Sequence, residues 1–318
     1  MSPYRAAIAV LTLAFAVAAH AAAPMAKTPP PGFFRMMLGD FEITAISDGT
    51  VNLPVDQLLT QTTKDKVDKA LAQRFLKSPL ETSVNAYLVN TGTKLVLIDT
   101  GAAGLFGPTL GRLADNLKAA GYQPDQVDEI YITHMHPDHV GGLVLDGKAA
   151  FPNAVVRADK HDADFWLSAE TLAKADEGSK GFVQGAQASL APYVQAGRFK
   201  PFDGDTELAP GIRAHAAYGH TPGHTVYLIE SQGQKLVLWG DLMHVAAVQF
   251  ANPGAGMKFD TDTPAATVQR KKAYADAAKN GYWVAGAHLP FPGIGHLRAA
   301  GKGYEFIPVN YTVIRTAQ

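Results

Sequence analysis

Ten consecutive residues, Thr133 to Gly142, read Thr-His-Met-His-Pro-Asp-His-Val-Gly-Gly. His134, His136, Asp138 and His139 fall within six positions of one another. Imidazole and carboxylate are the ligand types that suit zinc and its divalent neighbours. A solvated histidine-rich turn and a metal-storage tract are the plainer readings of such a cluster. Pro137 fixes the turn, and Gly141 and Gly142 let backbone pass close to a site. One cation rarely takes four ligands so closely spaced, so two cations sharing the loop is the more economical arrangement. The chain has no cysteine, which excludes thiolate ligands, a cysteine nucleophile and a disulfide framework.

The cluster must be carried by something rigid. It follows residues 129–133, a short apolar run that reads as a buried strand. Further strands are predicted at residues 41–47, 85–90, 94–98, 154–157, 212–217, 225–230, 235–239 and 282–285. Leu110, Leu113, Ala114 and Leu117 recur at helical spacing and stop at Gly121. Residues 163–173 and 182–194 also read as helices. Asp262-Thr263-Pro264 predicts a helix start, with Thr263 as N-cap and Pro264 in the first turn, and Asn280-Gly281 its stop. Strands and helices alternate without a repeat or an internal linker, which makes an α/β fold and one domain over residues 33–318.

The motif H-x-H-x-D-H resembles that of the metallo-β-lactamase superfamily. Four other motifs of that family occur in order: Asp99 in Leu-Ile-Asp-Thr-Gly, His220 in Gly-His-Thr-Pro-Gly-His-Thr, Asp241 in Trp-Gly-Asp, and His288 in Ala-His-Leu. The resemblance implies an αββα sandwich with the site at one edge, between the sheets. It implies that His134, His136 and His220 hold one metal, and that Asp138, His139 and His288 hold the other. Asp241 would bridge them together with a hydroxide. Zinc heads the candidate metals, with manganese, iron and cobalt compatible with the same ligands. Asp99 is expected to orient a ligand histidine, and His224 to support the site by hydrogen bonding. His161, His215 and His296 lack any motif context. The bridging Asp241 resembles the glyoxalase II, lactonase and phosphotriesterase branches, not those that use a thiolate there.

Longer stretches, residues 97–107, 151–159 and 291–296, look close to the bacterial methyl parathion hydrolase family. That family hydrolyses aryl phosphotriesters and is related to lactonases and aryl esterases. The positions matching its aromatic pocket are Phe106, Trp166 and Phe182. Two positions depart from it: His244 stands where an aliphatic residue is expected, and Leu58 where an arginine is expected. Both are expected at the pocket rim. An extra imidazole there could orient a planar carbonyl, which tilts the expected activity toward aryl esters and lactones, with phosphotriester hydrolysis as a side activity. Asp138, Asp241 and His244 are the residues expected at the chemistry. A dedicated organophosphate hydrolase, a glyoxalase II-type thioesterase and a non-catalytic metal-binding protein are the alternatives.

The composition narrows the partners. The chain has 318 residues, 47% of them hydrophobic and 18% charged, enough for a large core. Lys and Arg number 28 against 29 Asp and Glu, so no basic excess exists to hold nucleic acid. Residues 1–23 combine Arg5, an apolar stretch over residues 6–19 and an Ala19-His20-Ala21 cleavage pattern. They read as a signal peptide without a lasting membrane anchor, and the expected compartment is the periplasm or beyond. Residues 24–32 hold four prolines and read as a linker. A small-molecule ester, lactone or phosphotriester is the expected partner, and the family resemblance implies a homodimer.

Overall fold

The computed structural model describes residues 23–314. The expected signal peptide lies outside these residues, apart from its last position. Residues 23–32 carry no regular secondary structure, and the compact unit described below begins at Pro31. Among the described residues, no helix is long and apolar enough to cross a membrane.

Two sheets form the frame. The first joins β1 (Phe33–Leu38), β2 (Phe41–Leu53), β3 (Leu80–Asn90), β4 (Leu95–Ile98), β5 (Glu129–Tyr131) and β6 (Val155–Arg157), side by side in that order. The second joins β7 (Thr206–Ala209), β8 (Ile212–Ala216), β9 (Thr225–Ser231), β10 (Gln234–Leu238), β11 (Trp283–Ala285), β12 (Ile294–Ala300) and β13 (Gly303–Pro308), again in chain order. Pairing is antiparallel except for β4 with β5, β5 with β6, and β10 with β11.

Side chains alternate across each strand, and this alternation builds the layers. In β4, Val96 and Ile98 join Ile43, Tyr87, Tyr227, Ile229 and Leu236 in the core between the sheets. Leu95 and Leu97, one residue out of phase, pack outward with Leu113, Leu117, Leu190 and Tyr193 from the helices covering the first sheet. On the far side, Val226, Val237 and Val284 meet Tyr274 and Ala277 of the long helix Thr263–Asn280. The result is the αββα sandwich expected from the sequence.

The helices differ from expectation in detail. Residues 163–173 form two helices, Lys160–Trp166 and Ala169–Lys174, because the Ser168 side chain accepts from the Glu170 and Thr171 N–H groups and starts a new N-terminus. The long helix is capped by Asp262 rather than Thr263, since Asp262 accepts the Ala265 N–H. Gly281, at φ 65°, ends it. The helix expected from Leu110 begins only at Leu113, leaving Leu110 buried in the preceding loop.

Candidate metal centre and its cavities

The chemistry-bearing residues sit where strands end. Asp99 and His134 follow the parallel neighbours β4 and β5, and Asp241 and His288 follow the parallel neighbours β10 and β11. Parallel strands bring their carboxyl ends to one edge of a sheet, and the loops leaving them converge there. His220 lies on the turn between β8 and β9. His136 caps the one-turn helix Pro137–Val140, which carries Asp138 and His139. This loop presses on the Asp99 strand end: a Cβ on Gly142 would stand 1.9 Å from the Thr100 carbonyl oxygen, and one on Gly141 would stand 2.3 Å from that of Ala102. Asp99 itself takes a left-handed φ of 61° to make the turn.

All seven residues expected as ligands meet. Donor atoms of His134, His136, His220 and Asp241 lie within 4.8 Å of one another, and so do those of Asp138, His139 and His288. Asp241 joins the two sets: its Oδ2 is 3.3 Å from His220 Nε2, and its Oδ1 is 3.3 Å from His139 Nε2 and 3.2 Å from His288 Nε2. His136 turns its Nδ1 inward, 3.1 Å from His220 Nε2. Two ring nitrogens so close, and buried, are the arrangement a shared cation creates.

Polar satisfaction tests the fit. His134 Nε2, His139 Nε2 and Asp241 Oδ1 are buried without a hydrogen-bond partner. Leaving such atoms bare costs about 1–3 kcal/mol each, so the donor set fits two divalent cations that would take up these lone pairs. Burial pushes His134 and His136 far below the usual histidine range, which keeps their rings neutral. Burial alone would raise Asp138, but neighbouring His139 and His288 outweigh it and hold the carboxyl ionised.

The outward nitrogens are tied down. His139 Nδ1 donates to Asp99 Oδ2 at 2.8 Å, and Asp99 also accepts the Thr133 N–H and hydroxyl. The Thr133 hydroxyl oxygen lies 3.1 Å from His134 Nδ1. His288 Nδ1 donates to the Ser83 carbonyl at 2.9 Å. His220 Nδ1 donates to Asp260 Oδ1 at 2.8 Å, a partner the sequence reading missed. His224 stays outside the donor set: its Nε2 accepts the Asp241 N–H at 3.0 Å and its Nδ1 donates to the Ala217 carbonyl. Burial pushes its pKa down to about 3, so the ring is neutral and can accept.

Two cavities adjoin the donors. A small one of about 80 Å³ is lined by Val51, Leu53, Phe106, His136, Asp138, Phe182, Asp241, His244, Phe259 and His288. A larger one of about 700 Å³ shares His136, Phe182 and Phe259 and continues past Trp166 and Phe165 to Lys258. Phe106 and Phe182 meet edge to face at 5.8 Å, and Trp166 and Phe182 both stand edge-on to His136. Trp166 serves the core as well as the cavity wall.

Of the two departures, the structure brings one to the centre. His244 is buried beside the donors, with Nε2 2.9 Å from Asp241 Oδ2 and its ring stacked on His288. Burial pushes its pKa down to about 4. Leu58 lines neither cavity. It packs with Val55, Leu59 and Val67 beneath the loop, and its carbonyl accepts the Lys258 N–H. Val51 and Leu53 of β2 line the small cavity instead, because the chain turns away from the site into a short helix at Val55. His161, His215 and His296 lie away from the centre, each paired locally: His161 with Asp159, His215 with Asp205, and His296 with the Tyr282 carbonyl.

A sandwich with two fused donor sets at the strand ends defines a dinuclear metal-dependent hydrolase. Residues 80–288 match the metallo-beta-lactamase superfamily, and the chain belongs to it. A solved structure described as hydrolase AbOPH is 39% identical, with a TM-score of 0.85 over 90% of this chain and 100% of that one. AidC, a dizinc quorum-quenching lactonase solved with a homoserine product, is 30% identical, with a TM-score of 0.81 over 89% of this chain and 99% of that one. An N-acyl homoserine lactonase of Bacillus sp is 26% identical over 212 residues, 61% of this chain and 76% of that protein. The like-named enzyme of Bacillus thuringiensis matches 63% of its own length, just under two thirds.

Proposed function

We propose that this protein hydrolyses lactones and aryl esters, with aryl phosphotriesters as lesser substrates. The observation that carries this reading is the opening of the donor cluster onto an aromatic-walled cavity that shares His136, Phe182 and Phe259 with a neighbouring space of about 700 Å³. Such a shape suits a small ester head at the donors and an apolar substituent beyond it. The similarity to AidC and to the N-acyl homoserine lactonases supports a lactone head group and zinc as the metal.

When bound, the two cations supply a water acidified toward neutral pH and a Lewis acid for the carbonyl oxygen. The rest falls to side chains. Asp241, anchored through its N–H to His224, spans the two donor sets and fixes their separation. Asp138 presents a partly exposed carboxylate to the small cavity. His244, neutral and without a well-formed hydrogen bond, has an N–H to offer a planar carbonyl. Phe106, Phe182 and Phe259 exclude water from the reacting group. We read residues 1–23 as an export signal, which puts this chemistry in the periplasm.

The test is kcat/KM for dihydrocoumarin and an N-acyl homoserine lactone against methyl paraoxon, with the metal-loaded protein. A lactone preference of at least about tenfold is expected, a difference of ~1.4 kcal/mol in transition-state binding, and His244→Leu should narrow it. A preference for the phosphotriester overturns the reading.

A further inference from the structure

Two segments carry the histidines of one donor set, and they are joined by a side chain outside the family motifs. Asp162 lies fully buried in the helix Lys160–Trp166. Its Oδ2 accepts the Met135 N–H at 2.8 Å, and its Oδ1 accepts the Gly223 N–H at 2.6 Å. Met135 stands between His134 and His136, and Gly223 follows three residues after His220. We propose that Asp162 is a positioning residue that clamps the His134–His136 loop to the His220 loop and so pre-shapes one of the two cation sites.

Three features support the clamp. Each carboxylate oxygen serves a different loop, so the group bridges them. No Lys, Arg or His pairs with Asp162 among the described residues, so the two N–H donors are what offsets its burial, and only in part, since burial still raises the carboxyl to about 6. The fit also requires glycine at 223: a Cβ there would stand 2.4 Å from the Asp162 nitrogen and 2.9 Å from its Cβ. Asp162 bonds to no segment carrying His288, and its bond at Met135 lies on the His134–His136 side of the motif loop. Trp166, one helical turn on and on the same face, walls the larger cavity, so one short helix sets both a cation site and the substrate wall.

The test uses Asp162→Asn in the full chain. An amide can accept at one atom only, and it turns an N–H toward the other loop's N–H. Metal content per chain is followed against a competing chelator. Expected is a 10–100-fold weakening of one zinc equivalent, the size seen when groups that orient ligands are lost, with the other equivalent unchanged. Asn116→Ala controls for general loosening, because Asn116 accepts the Gly32 N–H and donates to the Ser47 carbonyl, contacts that involve neither donor set. It should lower Tm without separating the two equivalents. Equal weakening of both equivalents by Asp162→Asn, or of neither, overturns the proposal. A wild-type chain that binds no zinc would instead overturn the dinuclear reading on which the proposal rests. If Asp162→Asn does not fold, hydrogen exchange on the wild type decides. The Met135 and Gly223 amides should stay protected after one equivalent is removed, and exchange at the rate of open chain refutes the clamp.

Discussion

In the set of His134, His136 and His220 every ring is 4% exposed or less and only His136 touches the cavities; this sealed set contrasts with the open set of Asp138, His139 and His288, in which Asp138, 17% exposed, and His288 both line the small cavity. The sealed set is tied from behind by side chains of separate elements: the Thr133 hydroxyl at His134 and the Asp260 carboxylate at His220. The open set is tied by Asp99, just past the end of β4, and by the Ser83 carbonyl, within β3 of the same sheet. One half of the centre therefore depends on how loops are held against one another. The other depends on the sheet edge and faces the substrate. Asp241 belongs to both, and this makes them one centre.

Removing the shared residue breaks the comparison most severely. Asp241→Ala should cost kcat/KM about 10³-fold, the scale of losing a group that stabilises charge at the reacting centre. Both metal equivalents should weaken in the same chelator titration. Loss of one equivalent only would show that the halves are independent. Next in size are the two carboxylates that orient ligands. Asp260→Asn should weaken the sealed equivalent, and Asp99→Asn the open one, each about 10–100-fold. Cobalt substitution followed by absorption spectroscopy reads which environment changes. The same spectral change from both variants would erase the distinction.

His224 separates itself from the ligands by acting on stability and not on metal affinity. Its folded pKa of about 3 lies below the unfolded value of roughly 6.5. Below pH 6.5 the unfolded chain takes up a proton that the folded ring refuses. The stabilisation is therefore complete above pH 6.5 and is lost as pH falls toward 3. His224→Gln should flatten the fall in stability between these limits by about 1.4 kcal/mol per pH unit. Urea unfolding of metal-free protein at several pH values measures it, and an unchanged slope would mean His224 is not held neutral.

The donors were legible in the sequence because the His134–His139 motif is local and because the remaining ligands, His220, Asp241 and His288, stand in motifs that resemble those of the superfamily. The structure supplies the physical reason: the loops that leave the parallel strand pairs β4–β5 and β10–β11 converge at one edge. Asp260, Asp162 and Phe259 had no such signal. They lie on a loop and a short helix brought to the centre only by tertiary packing, and nothing in their neighbours' spacing marks them. Leu58 was placed at the rim by matching positions, but the chain leaves β2 for a helix before reaching it. The central strands were legible from alternation. The edge strands β1, β7 and β13, and β12 beside β13, were not, since partial exposure blurs their pattern, as the half-buried run at the start of β1 shows. The helix Lys64–Ala72 was hidden by its charge, since only Val67 and Leu71 are buried.

Asp138 offers the most direct test, because it belongs to the open set and lines the cavity where substrate meets the cations. Metal content and lactone hydrolysis should be measured together on wild type and Asp138→Asn. The account predicts two zinc ions per wild-type chain. It predicts about one in the variant, with kcat reduced at least about 100-fold, the lower end of what a preorganised reacting-centre group contributes. A variant that keeps both ions and full kcat would contradict the dinuclear assignment.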